Sequence, residues 1–116
     1  MEKKALRKQE RKKESVPCFL KKLFEIINNT EQSGIIEWAA DGLSFEVVNR
    51  SGFTGQTLPT YFKHSNLNSF VRQLNMYDFH KCKRSTEEIQ FRHPFFQRDR
   101  PDLLVKIKRK TNSNYV

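Results

Sequence analysis

Glycine is scarce, four residues in 116, and no run of it could wrap a phosphate in backbone amides, so no nucleotide-binding loop is encoded. Cysteine is scarcer: Cys18 and Cys82 are the only two, too few for a disulfide framework. His80-Lys81-Cys82 lacks the second ligand pair that zinc-site spacing demands. No apolar run approaches the roughly 18 residues of a membrane-spanning helix, and the charged N-terminus lacks the apolar core of a secretory signal. An intracellular, reducing location is the expectation. Acids are also in deficit: 13 Asp and Glu against 22 Lys and Arg, a net charge of +9. Such a balance favours polyanionic partners, DNA, RNA or anionic lipid, without choosing among them.

The length suits one domain with its own core. Residues 1–14 hold seven Lys and Arg against three Glu, with only Ala5 and Leu6 to bury. They read as a disordered basic arm, either a solvated tail or an import or phosphate-contacting segment. Order is expected from Ser15, which can cap a helix, with Pro17 in its first turn. Phe19, Leu20, Leu23, Phe24, Ile26 and Ile27 then recur at helical spacing until Asn28 and Asn29 end it. Ile35–Trp38 and Leu43–Val48 flank Asp41-Gly42 and read as a hairpin, with Phe45 and Val47 inward and Ser44 and Glu46 outward. Residues 53–62 read as a second helical region kinked or broken at Pro59, and 66–77 as a third helix. Phe79–Arg84 and Ile89–His93 read as a second hairpin across 85–88. Pro101 opens a short helix holding Leu103, Leu104 and Ile107. No internal repeat or sustained heptad is present, so no coiled coil is encoded. Three helices interleaved with two hairpins give a small α+β domain.

The third helix carries the chemistry. At 100° per residue, Leu67, Phe70, Val71, Leu74 and Tyr77 fall within about 120° of one another, a core face. Opposite lie Ser65, Ser69, Arg72 and Met76, flanked by Asn68, Gln73 and Asn75, with no acid among them. Arg can donate two parallel bonds to guanine, and Asn or Gln can match adenine; an acid there would repel phosphate. Lys63 and His64 precede the helix, where backbone amides also favour an anion. Lys81, Lys83 and Arg84 follow it, and Lys106, Lys108, Arg109 and Lys110 close the domain. Cations on both sides of a polar helix suit docking between two phosphate backbones.

Several blocks resemble the DNA-binding domain of heat shock transcription factors: Pro17-Cys18-Phe19-Leu20, Leu58-Pro59-Thr60-Tyr61-Phe62-Lys63-His64-Ser65-Asn66, Ser69-Phe70-Val71-Arg72-Gln73-Leu74-Asn75-Met76-Tyr77, Phe91-Arg92-His93-Pro94, and Leu103 to Lys110. The resemblance covers about residues 16–111 and is most specific in the Ser-Phe-Val-Arg-Gln-Leu-Asn run. It implies a winged helix-turn-helix with a three-helix core and a small antiparallel sheet. It also implies a nuclear transcription factor that reads inverted GAA repeats in duplex DNA. By that resemblance Arg72 contacts the guanine, with Ser69 and Asn75 adjusting the approach. Lys63, His64, Asn68, Gln73, Tyr77, Lys81, Lys83, Lys108 and Lys110 meet the DNA backbone. The domain then spans 15–111, with a tail at 112–116.

The chain departs from the pattern at Asp78, where the family typically has Gly. Asp tolerates a left-handed backbone better than most residues, but its charge near DNA is unexplained by the pattern. The wing tip is also short. The family's trimerising coiled coil normally follows the domain. With none encoded here, a monomer in solution is expected, with adjacent copies brought together by repeated DNA units. No enzyme, cofactor or metal is expected: His64, His80 and His93 could serve acid–base work, but Asp41 and Asp78 have no carboxylate partner in sequence. The competing reading is a basic RNA-binding or ribosome-associated domain, which would need exposed aromatics for base stacking.

Overall fold

The computed structural model describes residues 15–82 and 89–110; the basic arm 1–14, the wing tip with Lys83 and Arg84, and residues 111–116 lie outside the described residues. The first helix, α1 (Cys18–Asn28), buries Leu20, Leu23, Ile26 and Ile27 on one face. It begins later than its sequence suggests. Pro17 occupies the capping position without a side-chain bond, because its fixed φ suits the entry to a helix and it has no amide to satisfy. Asn29 both closes α1 and caps a single 3₁₀ turn, Thr30–Gln32, by accepting from the Glu31 amide.

Strands β1 (Ile36–Trp38) and β2 (Ser44–Val47) pair antiparallel, with Ile36 opposite Val47. Between them Gly42 takes φ +74, a left-handed backbone that glycine adopts without strain. A Cβ there would meet Arg98 side-chain atoms at 3.1 Å. The expected alternation fails at Ser44, which is buried, because Gln90 of the neighbouring strand donates to its hydroxyl at 3.0 Å.

The expected break at Pro59 is absent. Short helices α2 (Arg50–Gly52) and α3 (Leu58–Phe62) are joined by a π-helical turn, Phe53–Thr57, into one helical stretch. Proline cannot donate to the carbonyl four residues back, and its ring crowds that carbonyl. The wider turn just before it, with the Leu58 amide reaching back to Phe53, absorbs the misfit. Thr57 is buried in this stretch and donates its hydroxyl to Gln32 Oε1.

The third long helical element, α4 (Leu67–Met76), follows a tight corner. Strands β3 (His80–Lys81) and β4 (Ile89–Arg92) complete a four-stranded antiparallel sheet of order β1-β2-β4-β3. Strand β3 is shorter than the run that suggested it. The last element, Pro101–Lys106, is 3₁₀ rather than α-helical, and Ile107 lies beyond it as its buried cap. Ile107 thus falls outside the helix expected to hold it, and Lys108 and Lys110 stand on irregular chain after the turn.

The core is aromatic where helices meet sheet. Phe45 of β2 lies 6.1 Å from Phe79, 6.4 Å from Phe91 and 5.7 Å from Phe96. Phe70 of α4 meets Phe53 at 4.9 Å and Phe19 of α1 at 5.8 Å. All four of α1, the α2–α3 stretch, α4 and the sheet thus share one cluster, and α4 can seat only with Phe70 and Leu74 inward. The arrangement is the winged helix-turn-helix. No helix among the described residues is long and apolar enough to cross a membrane.

Candidate nucleic-acid interface

Burial of one stripe of α4 decides what its other side presents. Phe70 and Leu74 are buried, whereas Asn68, Ser69, Arg72 and Asn75 are exposed. The periodicity of the sequence had separated these two sets. Arg72 makes no hydrogen bond or ion pair among the described residues. The whole helix has no acid in its first turn. Its outward side therefore offers neutral donors and acceptors around one free guanidinium.

The N-terminal end of α4 is organised by its own side chains. Asn66 accepts from the Ser69 amide at 3.1 Å and so caps the helix, filling one of the amides a helix start leaves open. The Asn66 amide donates in turn to His64 Nδ1 at 3.0 Å. A neutral His64 then carries its proton on Nε2, leaving a donor for an incoming anion. Lys63 is exposed and adopts φ 63, ψ 29, the left-handed residue that turns the chain from α3 into α4. Two cationic or donor side chains thus stand where the helix dipole is positive.

The C-terminal end is held from far away in sequence. The Lys110 amide donates to the Met76 carbonyl at 2.8 Å, and Arg109 Nη2 lies 3.8 Å from Met76 Sδ. This brings exposed Arg109 and Lys110 beside the end of α4; Lys108, next in the chain, and Lys81 on β3 are exposed too. Sequence reasoning counted Arg109 among the closing cations but gave it no contact. Nothing local in the chain signals contact with a residue 33 positions earlier.

Two expected backbone contacts are placed differently. Tyr77 is only 7% exposed and its ring stacks on Phe19, with centroids 5.8 Å apart and planes 6° from parallel. Its position on the apolar stripe foretold the burial of this ring. Gln73 is half-buried against α1, lining a cleft with Cys18, Phe19, Lys22 and His64. Lys83 lies outside the described residues. Asp78 adopts φ 69, as its tolerance of the left-handed region allows. Its carboxylate lies 3.5 Å from Lys110 Nζ and 3.7 Å from His80 Nε2.

Of the other histidines, His93 is buried, and its Nδ1 accepts from the Phe95 amide at 3.0 Å. Burial lowers its pKa below the usual histidine value, against the raising effect of Asp78. Both cysteines are free thiols, Cys18 exposed and Cys82 half-buried.

A sequence profile described as HSF-type DNA-binding matches residues 19–110. The heat shock factor protein of Drosophila melanogaster is 43% identical over 107 residues, covering 85% of this chain and 16% of its own length. The heat shock transcription factor of Saccharomyces cerevisiae is 46% identical over 109 residues, covering 86% of this chain and 13% of its own. The chain thus spans about a sixth or less of those relatives. Among solved structures, Chaetomium thermophilum Skn7 with HSE DNA superposes with a TM-score of 0.76 at 42% identity, over 80% of this chain and all of that one. The same protein with SSRE DNA gives 0.77 at 41%, over 81% of this chain and all of that one.

Proposed function

Since the chain belongs to the family with the HSF-type DNA-binding domain, we propose that it is the sequence-specific DNA-binding domain of a transcription factor that reads GAA-type heat shock elements in duplex DNA. The observation that carries the reading is Arg72: exposed, unpaired among the described residues, and centred on a helix face without acids. In the major groove it donates two bonds to guanine O6 and N7, the pairing that specifies this base. Ser69 and Asn75 adjoin it on the same face and adjust the approach. Lys63, His64 and Asn68 contact backbone at the start of α4, and Lys81, Lys108 and Lys110 at its end. These contacts orient the helix without reading sequence. Gln73 contributes at the margin.

The complexes of Skn7 with HSE and SSRE DNA support a duplex partner. Residues 15–111 form the binding domain, acting as a monomer in solution that gathers on repeated units, in the nucleus. The ten Phe residues do not favour the RNA alternative, since those described as buried, such as Phe45, Phe70 and Phe91, have no face free for a base.

Selection of duplexes from a random pool tests the proposal. Enrichment of inverted GAA units is expected. Enrichment of no duplex motif, or tighter binding to single-stranded RNA than to the selected duplex, would sink it.

A further inference from the structure

Asp78 is costly where it stands. It occupies a left-handed backbone position that glycine fills without strain. It also sets a negative charge at the C-terminal end of α4, where the helix dipole already disfavours one. Neither burial nor backbone geometry calls for a carboxylate: the side chain is 54% exposed. The turn itself is made by main chain, the Asp78 amide donating to the Asn75 carbonyl and the Phe79 amide to that of Leu74, each at 3.0 Å.

What the carboxylate faces is an ammonium and an imidazole. Lys110 Nζ is 3.5 Å away and His80 Nε2 3.7 Å. Lys110 is also fixed through its backbone, by the 2.8 Å bond from its amide to Met76. Its backbone therefore stays at the end of α4 whether or not Asp78 is charged, which keeps the ammonium within reach of that end. Only its pairing changes.

We infer that Asp78 sets the affinity for DNA by holding the Lys110 ammonium in an intramolecular pair, so that it competes with phosphate for this cation. The inference rests on the DNA-binding reading above. A cation held by a carboxylate releases no counterion from DNA, so it adds little to affinity or to its salt dependence. Freed, Lys110 adds one phosphate contact at the edge of the reading helix. Each such contact steepens the log–log salt dependence by about 0.9, equivalent to about eightfold tighter binding at 0.1 M salt relative to 1 M.

The test is a four-way cycle of the intact chain, Asp78→Asn, Lys110→Gln and the double variant, titrated with the selected duplex at several salt concentrations. Asparagine keeps the tolerance for a left-handed backbone and removes only charge. Asp78→Asn is expected to bind several-fold tighter at low salt, with a steeper salt slope. Lys110→Gln should weaken binding less in the parent than in the Asp78→Asn background, where it should cancel the gain. An equal loss from Lys110→Gln in both backgrounds overturns the inference, because Asp78 would then act only as a distant repulsive charge. Weaker binding by Asp78→Asn overturns it too. Should that variant fail to fold, Asp78→Gly replaces it in the cycle. Arg72→Ala, run beside these, separates the two levels: sequence preference lost with Arg72 while the cycle is additive refutes the Asp78 role alone, and preference unaffected by Arg72 refutes the DNA reading.

Discussion

Replacing Arg72 with alanine separates sequence discrimination from every other property of the domain. The side chain is exposed and has no partner among the described residues, so its removal should leave stability within about 0.5 kcal/mol of the parent. All of its effect should then fall on binding. A bidentate arginine–guanine pair contributes about 1–3 kcal/mol of discrimination against a wrong base. At 1.4 kcal/mol per decade, the ratio of affinities for a GAA site and a scrambled site should drop by about 5- to 150-fold. Lys63→Gly is the matched control, since Lys63 holds a left-handed backbone that glycine accepts. It removes a charge beside the helix start and should weaken both sites by the same factor, flattening the salt slope by about 0.9. Competition binding at two salt concentrations, with thermal melting to certify the fold, reads both effects. If Arg72→Ala weakens scrambled and cognate duplexes equally, the side chain serves as one more phosphate contact and direct readout is wrong.

Phe45→Ala should cost about 3–5 kcal/mol, because this ring is fully buried among Phe79, Phe91 and Phe96; urea unfolding showing less than 1 kcal/mol would mean that the sheet and the helices are not joined through it. His93 makes stability depend on pH. Burial lowers its folded pKa below an unfolded value near 6.5, so the unfolded chain binds more protons as pH falls below about 6.5, and stability should decline until the folded group also titrates. His93→Asn keeps an acceptor for the Phe95 amide and should flatten that decline; an unchanged pH profile would assign the dependence to other groups.

Local periodicity was most informative where one face of an element alone decides burial. On α4 it separated Phe70 and Leu74 from Ser69, Arg72 and Asn75, and it placed Tyr77 inward, where the ring of Phe19 stacks on it. The resemblance assigned that same tyrosine to phosphate, a role that a buried ring leaves to its hydroxyl alone. The Asp41-Gly42 turn was legible because a left-handed residue between β-prone runs has few alternatives. Three features were not legible, for distinct reasons. Ser44 broke the strand alternation because its hydroxyl found Gln90, 46 residues away. The π turn before Pro59 is one of two ways to accommodate a missing donor, and a kink was the other. Ile107 was assigned to a last short helix, but Pro101–Lys106 winds as 3₁₀ and stops before it. Where Lys110 then lies depends on a carbonyl 34 residues earlier.

That distant bond bears on how recognition is divided along α4. The helix is fixed at its start by the Asn66 cap and the His64 bond, along its back by Phe70 and Leu74, and at its end by the Lys110 amide on Met76. A reading side chain between three such restraints loses only its own rotamer freedom on binding, which is the condition for discrimination to appear as affinity. The long exposed cations sit at the two ends, where charge matters more than exact placement. Changes at Lys63, Asp78 or Lys110 should therefore move affinity and salt dependence together while leaving base preference intact. Changes at Arg72 should do the reverse. An end residue that altered base preference would show that α4 shifts in the groove, and the separation of roles along it would fail.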